Sequence, residues 1–275
     1  MTLETPDVAI VGGGIVGLGI GIGIQRLRPD LKVVIFEAEQ QLAMHGSGRN
    51  SGVLHAGFYY SPDSLKARLT RIGNEMLRKK CSDEGVSVKS CGKVVVARNE
   101  IEVQQIHELH SRAVANGADV RLIDPKELQK IEPLAVTHEV ALWSPNTGVA
   151  DPAAVTQMAA RVFERQGGRI LFQSKVDQVD GPTVVLADGR RITCRHIVNA
   201  AGLYADSIAH GCGVGLDYAI LPFKGLYIYG DQTAPPLGRH VYPVPDPRNP
   251  FLGVHLTVTL QGRVKIGPTA IPALS

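Results

Sequence analysis

From Val8 to Gln25 the chain carries no charged side chain. Val8-Ala9-Ile10-Val11 is an apolar run of strand length, and three glycines follow it, Gly12 to Gly14. An apolar helical stretch comes next and ends at Arg28-Pro29-Asp30. Lys32-Val33-Val34-Ile35-Phe36 is a second strand, with Glu37 at its end. Strand, glycine turn, helix, strand and acid form the order of a dinucleotide-binding βαβ unit. At 18 residues with seven glycines, the uncharged run is slightly short for a membrane span. Glu4 and Asp7 stand where a signal peptide would need positive charge.

Further along, the hydrophobic period changes repeatedly. Ser64 to Lys80 predicts an amphipathic helix with Leu65, Leu69, Ile72, Met76 and Leu77 on one side. Residues 86–97 are strand-like and broken at Cys91-Gly92; Glu100 to Asn116 is a polar helix. Asp124-Pro125 and Asp151-Pro152 start helices, each with proline at the first helical position. Short strands follow at 169–172, 175–179 and 183–186, with an Asp188-Gly189 hairpin turn. His196-Ile197-Val198-Asn199-Ala200-Ala201-Gly202 is a second strand running into a glycine turn. From Ala219 onward the pattern is β-rich. The fold class is therefore α/β, with two interleaved, discontinuous domains. Parallel αβ material occupies 1–85 and 148–214, and mixed or antiparallel material occupies 86–147 and 215–275.

The glycine turn has a physical logic. Gly12 allows the tight turn, Gly14 lets a pyrophosphate approach the backbone, and Gly17 lets the helix pack close to the sheet. Free N–H groups and the positive end of the helix dipole then favour a phosphate. Glu37 can accept hydrogen bonds from ribose hydroxyls and would repel a 2′-phosphate, which argues against NADP. Gly19, Gly21 and Gly23 are costly inside a helix, at about 1 kcal/mol each relative to Ala. Gly19 and Gly23 share a face that could allow close packing.

Composition narrows the classes. The chain has 275 residues, 44% hydrophobic and 20% charged, with a net charge of +3 and no basic block. That suits a globular protein and does not indicate a nucleic-acid surface. Four cysteines form no CxxC pair or zinc spacing, so no metal site is expected and a reducing, cytoplasmic setting is. Peripheral contact with a membrane stays open. His107 and His110 share a helix face that reads as solvated.

The stretch from His45 to Tyr60 is rich in small and hydrogen-bonding residues and reads as a ligand-wrapping loop. Together, Gly12–Glu37, Arg49-Asn50-Ser51-Gly52-Val53-Leu54-His55-Ala56-Gly57 and Ile197–Gly202 resemble the FAD-dependent oxidoreductases of the D-amino-acid oxidase superfamily. Asn50 to Tyr60 followed by Ser64-Leu65-Lys66-Ala67-Arg68-Leu69 resembles the L-2-hydroxyglutarate oxidase/dehydrogenase branch. Pro222-Phe223-Lys224-Gly225, Leu252-Gly253-Val254-His255-Leu256-Thr257 and Gly267-Pro268 are similar to later motifs of that branch.

The resemblance implies a Rossmann-like FAD-binding domain interleaved with a substrate domain. It implies Gly12, Gly14 and Gly17 at the pyrophosphate and Glu37 at the adenosine ribose. Arg49, Asn50 and Ser51 would lie along the phosphates and ribityl chain, Val176 would meet adenine through its backbone, and Ala201 and Gly202 would close over the cofactor. The implied reaction oxidises a small-molecule 2-hydroxy acid, with L-2-hydroxyglutarate the leading choice, by hydride transfer to flavin N5. His55 and His255 compete as the base, Lys224 is the carboxylate partner, and Tyr60 is a second hydrogen-bond donor. The electron acceptor is oxygen, a quinone or a carrier protein. Family members carry a further flavin-covering stretch beyond the position of Ser275, so weakened FAD binding is expected of this chain. A non-catalytic nucleotide-binding remnant and an amino-acid or amine oxidase are the alternatives.

Overall fold

The computed structural model describes residues 5–273, apart from 232, 234, 247, 249, 250 and 252. Leu252 of the motif quoted above and residues 274–275 therefore lie outside the described residues. The chain forms two compact units. One joins residues 5–50 with Pro152–Pro222, and the other joins Ser51–Asp151 with Phe223–Ala273.

The first unit is built on a parallel sheet of four strands, in the order His196–Asn199, Val8–Val11, Val33–Phe36, Arg169–Leu171. All eight residues of Val8–Val11 and Val33–Phe36 are buried, because helices and strands cover both faces. On one face Val8, Ile10, Val33 and Ile35 pack with Leu18 of helix Ile15–Leu27 and with Ala159, Ala160 and Phe163 of helix Pro152–Arg165. On the other face Ala9, Val11, Val34 and Phe36 meet Val176, Val184 and Leu186 of a three-stranded antiparallel sheet, and Ile208. The alternation of neighbours along each strand follows from the two-residue period of side-chain direction.

The two helices approach at Gly21. A Cβ there would lie 2.6 Å from the Phe163 ring, whereas a Cβ at Gly19 or Gly23 would meet nothing within 4 Å. The close-packing glycine is thus Gly21, and the Gly19/Gly23 face is not the contact. Both faces carry glycine, and helical period alone does not say which one meets a neighbour.

The second unit is organised by a seven-stranded mixed sheet. Its order is Ile228–Tyr229, Val264–Gly267, His255–Val258, His240–Pro243, Lys93–Val96, Ala141–Ser144, Arg121–Ile123. The Lys93 strand pairs parallel with the His240 strand and antiparallel with the Ala141 strand, so it lies inside the sheet. Val95 and Ala97 face helix Glu100–Ala115 through Val103, Ile106, Leu109 and Ala113, together with Phe58 and Tyr242. Val94 and Val96 face the other way, towards Leu128 and Ile131 of helix Pro125–Ile131. That helix starts as expected: the Asp124 carboxylate accepts the Glu127 N–H at 2.7 Å, and Pro125 opens the first turn.

The unit boundary falls at Asn50, so residues 51–85, expected with the glycine-turn domain, pack with the second unit instead. Val53–Leu54 pairs with Gly148–Ala150, and the Arg78 guanidinium donates to the Asn146 carbonyl at 2.8 Å. Helix Leu65–Asp83 forms, capped by the Ser64 hydroxyl. Its predicted apolar stripe, however, points outward at Leu65, Leu69 and Met76, while Ala67 and Cys81 are the buried positions. The inner face carries Asn74 and Arg78, whose polar heads satisfy loop carbonyls rather than packing apolar surface.

Candidate functional site

The glycine turn sits where strand Val8–Val11 ends and helix Ile15–Leu27 begins. Gly12 has φ of +104°, a conformation other residues rarely adopt, and a Cβ there would lie 2.4 Å from the Ala200 carbonyl oxygen. The first strand-end turn therefore rests directly on the second, at Ala200-Ala201. A Cβ on Gly17 would lie 2.1 Å from the Gly12 carbonyl oxygen, so only glycine lets the helix close on the turn. Gly14 caps the helix without a side-chain bond, and a Cβ there would fill the space beside the Ser47 hydroxyl, 3.0 Å away. Ser47 Oγ accepts the Ile15 N–H at 2.9 Å. The first turn bears no acidic residue, so its positive end is not neutralised from within the helix.

Glu37 braces this turn. Its two carboxylate oxygens accept the Gly13 N–H at 2.8 Å and the Glu39 N–H at 2.9 Å. A carboxylate offers about four lone-pair positions, so two remain for hydroxyl donors. The cradle, the helix start without an acidic residue and the Glu37 carboxylate fit an adenine dinucleotide. Asn50 staples the following loop by donating to the Gly46 and Ser47 carbonyls, at 3.0 and 3.1 Å. Arg49 is exposed. Ser51 belongs to the second unit, where its hydroxyl accepts the Val53 N–H at 3.3 Å and its carbonyl accepts from Lys265 Nζ at 2.8 Å. Val176 is buried and lies on the outer strand of its three-stranded sheet, paired on one side with Leu186. Gly202 opens a short 3₁₀ turn after Ala201, with φ of +58°.

The second unit holds a different kind of site. Pairing places Ser144 beside Lys93, Lys93 beside His240, Thr257 beside Lys265 and Lys265 beside Tyr229. Antiparallel pairing of Val241 with Leu256 sets His240 next to Thr257. Six polar side chains thus form one row across six strands, on a single face of the sheet. Of these, Ser144, Lys93, His240, Thr257 and Lys265 are buried.

Lys93 is the most unusual member. It is fully buried, and its ammonium lies 4.5, 4.3 and 4.7 Å from the ring centres of Phe58, Tyr59 and Tyr242. Its Nζ and the Tyr59 hydroxyl are buried without a hydrogen-bond partner among the described residues. Burial pushes the Lys93 amine down to about 7. It also raises the Tyr59 and Tyr242 phenols above their ordinary value.

Three imidazoles surround this amine. His240 Nδ1 accepts the Val258 N–H at 3.1 Å, which leaves Nε2–H to donate to Cys91 Sγ at 3.1 Å. Both ring nitrogens are committed, and the residue is structural. His255 stacks on Tyr242, and its Nδ1–H donates to the Gly253 carbonyl at 2.8 Å. A carbonyl only accepts, so the neutral ring carries its lone pair on Nε2. His55 is half-buried, and the backbone at its position is fixed by Asn74 Nδ2, which donates to the Leu54 and His55 carbonyls at 3.1 and 3.0 Å. Burial first, and the Lys93 charge next, push His55 and His240 down to about 3. Burial lowers His255 to about 4, with a smaller push from Lys93 that the Gly253 bond opposes.

The structure thus brings His55 and His255 to one cluster and adds Lys93 and His240, which sequence reasoning missed. The signal for Lys93 was a lysine heading a Val-Val-Val run; only the sheet register shows that it points inward. Lys224 is instead exposed, on the two-residue strand Phe223–Lys224 paired with Ile271–Pro272. Tyr60 is half-buried under the Lys66 ammonium, 4.8 Å from its ring centre, and its neighbour Tyr59 is the one that reaches Lys93.

The chain is similar to known proteins over nearly its whole length. The human mitochondrial L-2-hydroxyglutarate dehydrogenase is 37% identical over 284 residues, which cover 97% of this chain and 61% of that protein. The Escherichia coli K12 L-2-hydroxyglutarate dehydrogenase is 33% identical over 272 residues, covering 97% and 64%. The chain therefore spans a little over three-fifths of the length of these relatives. Among solved structures, the reduced L-alpha-glycerophosphate oxidase of Mycoplasma pneumoniae with FAD bound superposes with a TM-score of 0.83 at 26% identity, over 99% of this chain and 73% of that one. The glycine oxidase of Geobacillus kaustophilus shares the fold, with a TM-score of 0.83 at 21% identity, over 99% and 74%. The family model described as FAD dependent oxidoreductase matches residues 7–274, nearly the whole of both units, and with the glycine cradle it shows that this chain belongs to the FAD-dependent oxidoreductase family.

Proposed function

We propose that this chain carries out FAD-dependent oxidation of a 2-hydroxy acid to a 2-oxo acid, with L-2-hydroxyglutarate as the substrate. The observation that carries the reading is His255, a buried imidazole whose Nδ1–H is tied to the Gly253 carbonyl and whose Nε2 is left as a base. Removing a hydroxyl proton needs such a base, and an imidazole held unprotonated is ready to act across neutral pH. The polar row adds Lys265, whose ammonium gives this face a positive charge suited to a carboxylate. The names of the relatives support the same substrate.

FAD, when bound, supplies the two-electron oxidising capacity that the substrate carbon requires. Gly12, Gly14, Gly17 and Glu37 would hold its adenosine and pyrophosphate portion, with Ala201 and Gly202 beside them. Asn50 and Ser51 would follow along the chain of the cofactor, with Arg49 as their cationic neighbour, and the Val176 backbone would meet adenine. The chain's own chemistry is proton removal at His255 Nε2, charge recognition by Lys265, and exclusion of water by the aromatic residues around Lys93. Lys224 and Tyr60 would serve at the edge of the site, on the exposed and half-buried surfaces where they stand. Oxygen, a quinone or a carrier protein would accept the electrons.

The test is anaerobic mixing of the FAD-loaded protein with L-2-hydroxyglutarate, followed at the flavin absorption band. Bleaching is the expected result. Bleaching by other hydroxy or amino acids, and none by this one, would overturn the substrate assignment. Binding of FAD without bleaching by any acid would leave a nucleotide-binding protein.

A further inference from the structure

We propose that Lys93 is a positioning residue of the site: it takes the first proton offered to the buried cluster and, once charged, keeps protons off the three imidazoles. This rests on reading His255 as the base of the proposed oxidation. The geometry singles out Lys93 from its neighbours. Its Nζ is ringed by the faces of Phe58, Tyr59 and Tyr242, all within 4.7 Å of centroid distance, and aromatic faces favour a cation. Among the described residues no imidazole has three such faces, and His255 has the one it stacks on. His240 is bonded through both nitrogens, and a proton on His255 would have to sit on Nε2, the atom the reaction needs free.

The connection to His255 is direct. Tyr242 lies between them, with its ring 4.7 Å from the ammonium and stacked at 3.8 Å on the His255 ring. The titratable groups around Lys93 are Cys91 from the turn before its own strand, His55 and Tyr59 from the segment after Leu54, His240 and Tyr242 from the parallel neighbour strand, and His255 and Lys265 from the next two. None is a carboxylate. A charge on Lys93 therefore finds no carboxylate to neutralise it, and the repulsion falls on the groups that become positive on protonation, the three imidazoles and Lys265. The burial that weakens the Lys93 amine also weakens every imidazole in the cluster, so the order of protonation is preserved.

The experiment is NMR titration of the protein with carbon-13 in the lysine ε positions and the histidine rings, which requires neither substrate nor turnover. In the unsubstituted protein Lys93 titrates near neutral pH and His255 stays neutral to below about pH 5. In Lys93→Met the His255 midpoint rises by about one pH unit, and Lys93→Arg, which keeps the charge, leaves it low. An unchanged His255 midpoint in Lys93→Met overturns the proposal. So does a Lys93 signal that titrates below the His255 midpoint, which would reverse the order of protonation; this arm stands even where the Met variant does not fold. Neither arm depends on the substrate, so a failure of L-2-hydroxyglutarate to bleach the flavin would strike the oxidation reading and not this one.

Discussion

His255 lies on Tyr242 with ring centroids 3.8 Å apart and planes inclined by 21°. The stack and the Gly253 bond fix both the plane and the tautomer of this imidazole, as a base needs when its lone pair must point one way. His255→Gln should lower the rate of anaerobic flavin reduction by roughly 10²–10⁴-fold, with a much smaller change in FAD affinity. His240→Phe should act differently. It leaves the Val258 N–H buried and unsatisfied, at a cost of about 1–3 kcal/mol in stability. Stopped-flow reduction and urea unfolding of the two variants separate base from scaffold.

Acid should destabilise the protein in a defined window. His55 and His240 sit at about 3 and His255 at about 4, all below the usual histidine value of 6.5. Between those limits the unfolded chain binds more protons, so stability rises with pH. The contribution is fully present above about pH 6.5 and is lost as pH falls towards 3. Lys93 follows the same sign at higher pH, because its folded value of about 7 lies below the ordinary 10.5. Urea midpoints measured from pH 4 to pH 8 should climb, below the range where the raised thiols of Cys81, Cys91 and Cys194 act in the opposite sense, and Lys93→Met should unfold at higher urea than the parent at pH 7.

The glycines of the first helix should divide sharply. Gly17→Ala places a Cβ 2.1 Å from the Gly12 carbonyl oxygen, and should destabilise by about 1–3 kcal/mol and weaken FAD binding. Gly19→Ala meets open space in a helix interior and should stabilise by up to about 1 kcal/mol. Thermal unfolding with and without FAD reads both effects.

Glu37→Gln tests the brace. An amide presents one oxygen and one N–H₂, so one of the two backbone N–H groups it now accepts would face a donor. Losing a charge-assisted bond is worth about 1.5 kcal/mol, so the FAD dissociation constant should rise about tenfold. Fluorescence titration measures it, and an unchanged constant would remove Glu37 from the nucleotide site.

The glycine-turn unit was legible because its parts are contiguous. Gly12, Gly14, Gly17 and Glu37 lie within one βαβ unit, where spacing along the chain is spacing in the fold. The polar row was not, because Lys93, His240, Thr257 and Lys265 come from four strands joined only by pairing register. A shift of one residue would turn Lys93 outward and Val94 inward. Lys224 drew attention as an isolated cation in a turn, yet exposure leaves it outside the cluster. Gly21 was hidden between Gly19 and Gly23, since the identity of the contact depends on where Phe163 arrives.

The parallel pairing of Lys93–Val96 with His240–Pro243 has a consequence for synthesis. The partner strand is made about 150 residues later, on the order of ten seconds at ordinary translation rates. Until it emerges, the Lys93 strand has an unpaired edge beside a run of valines, and loop closure over that distance is slow. The nascent second unit therefore passes through a sticky interval. A buried lysine at the head of the strand places a charge there, which opposes edge-to-edge association until the proper neighbour arrives.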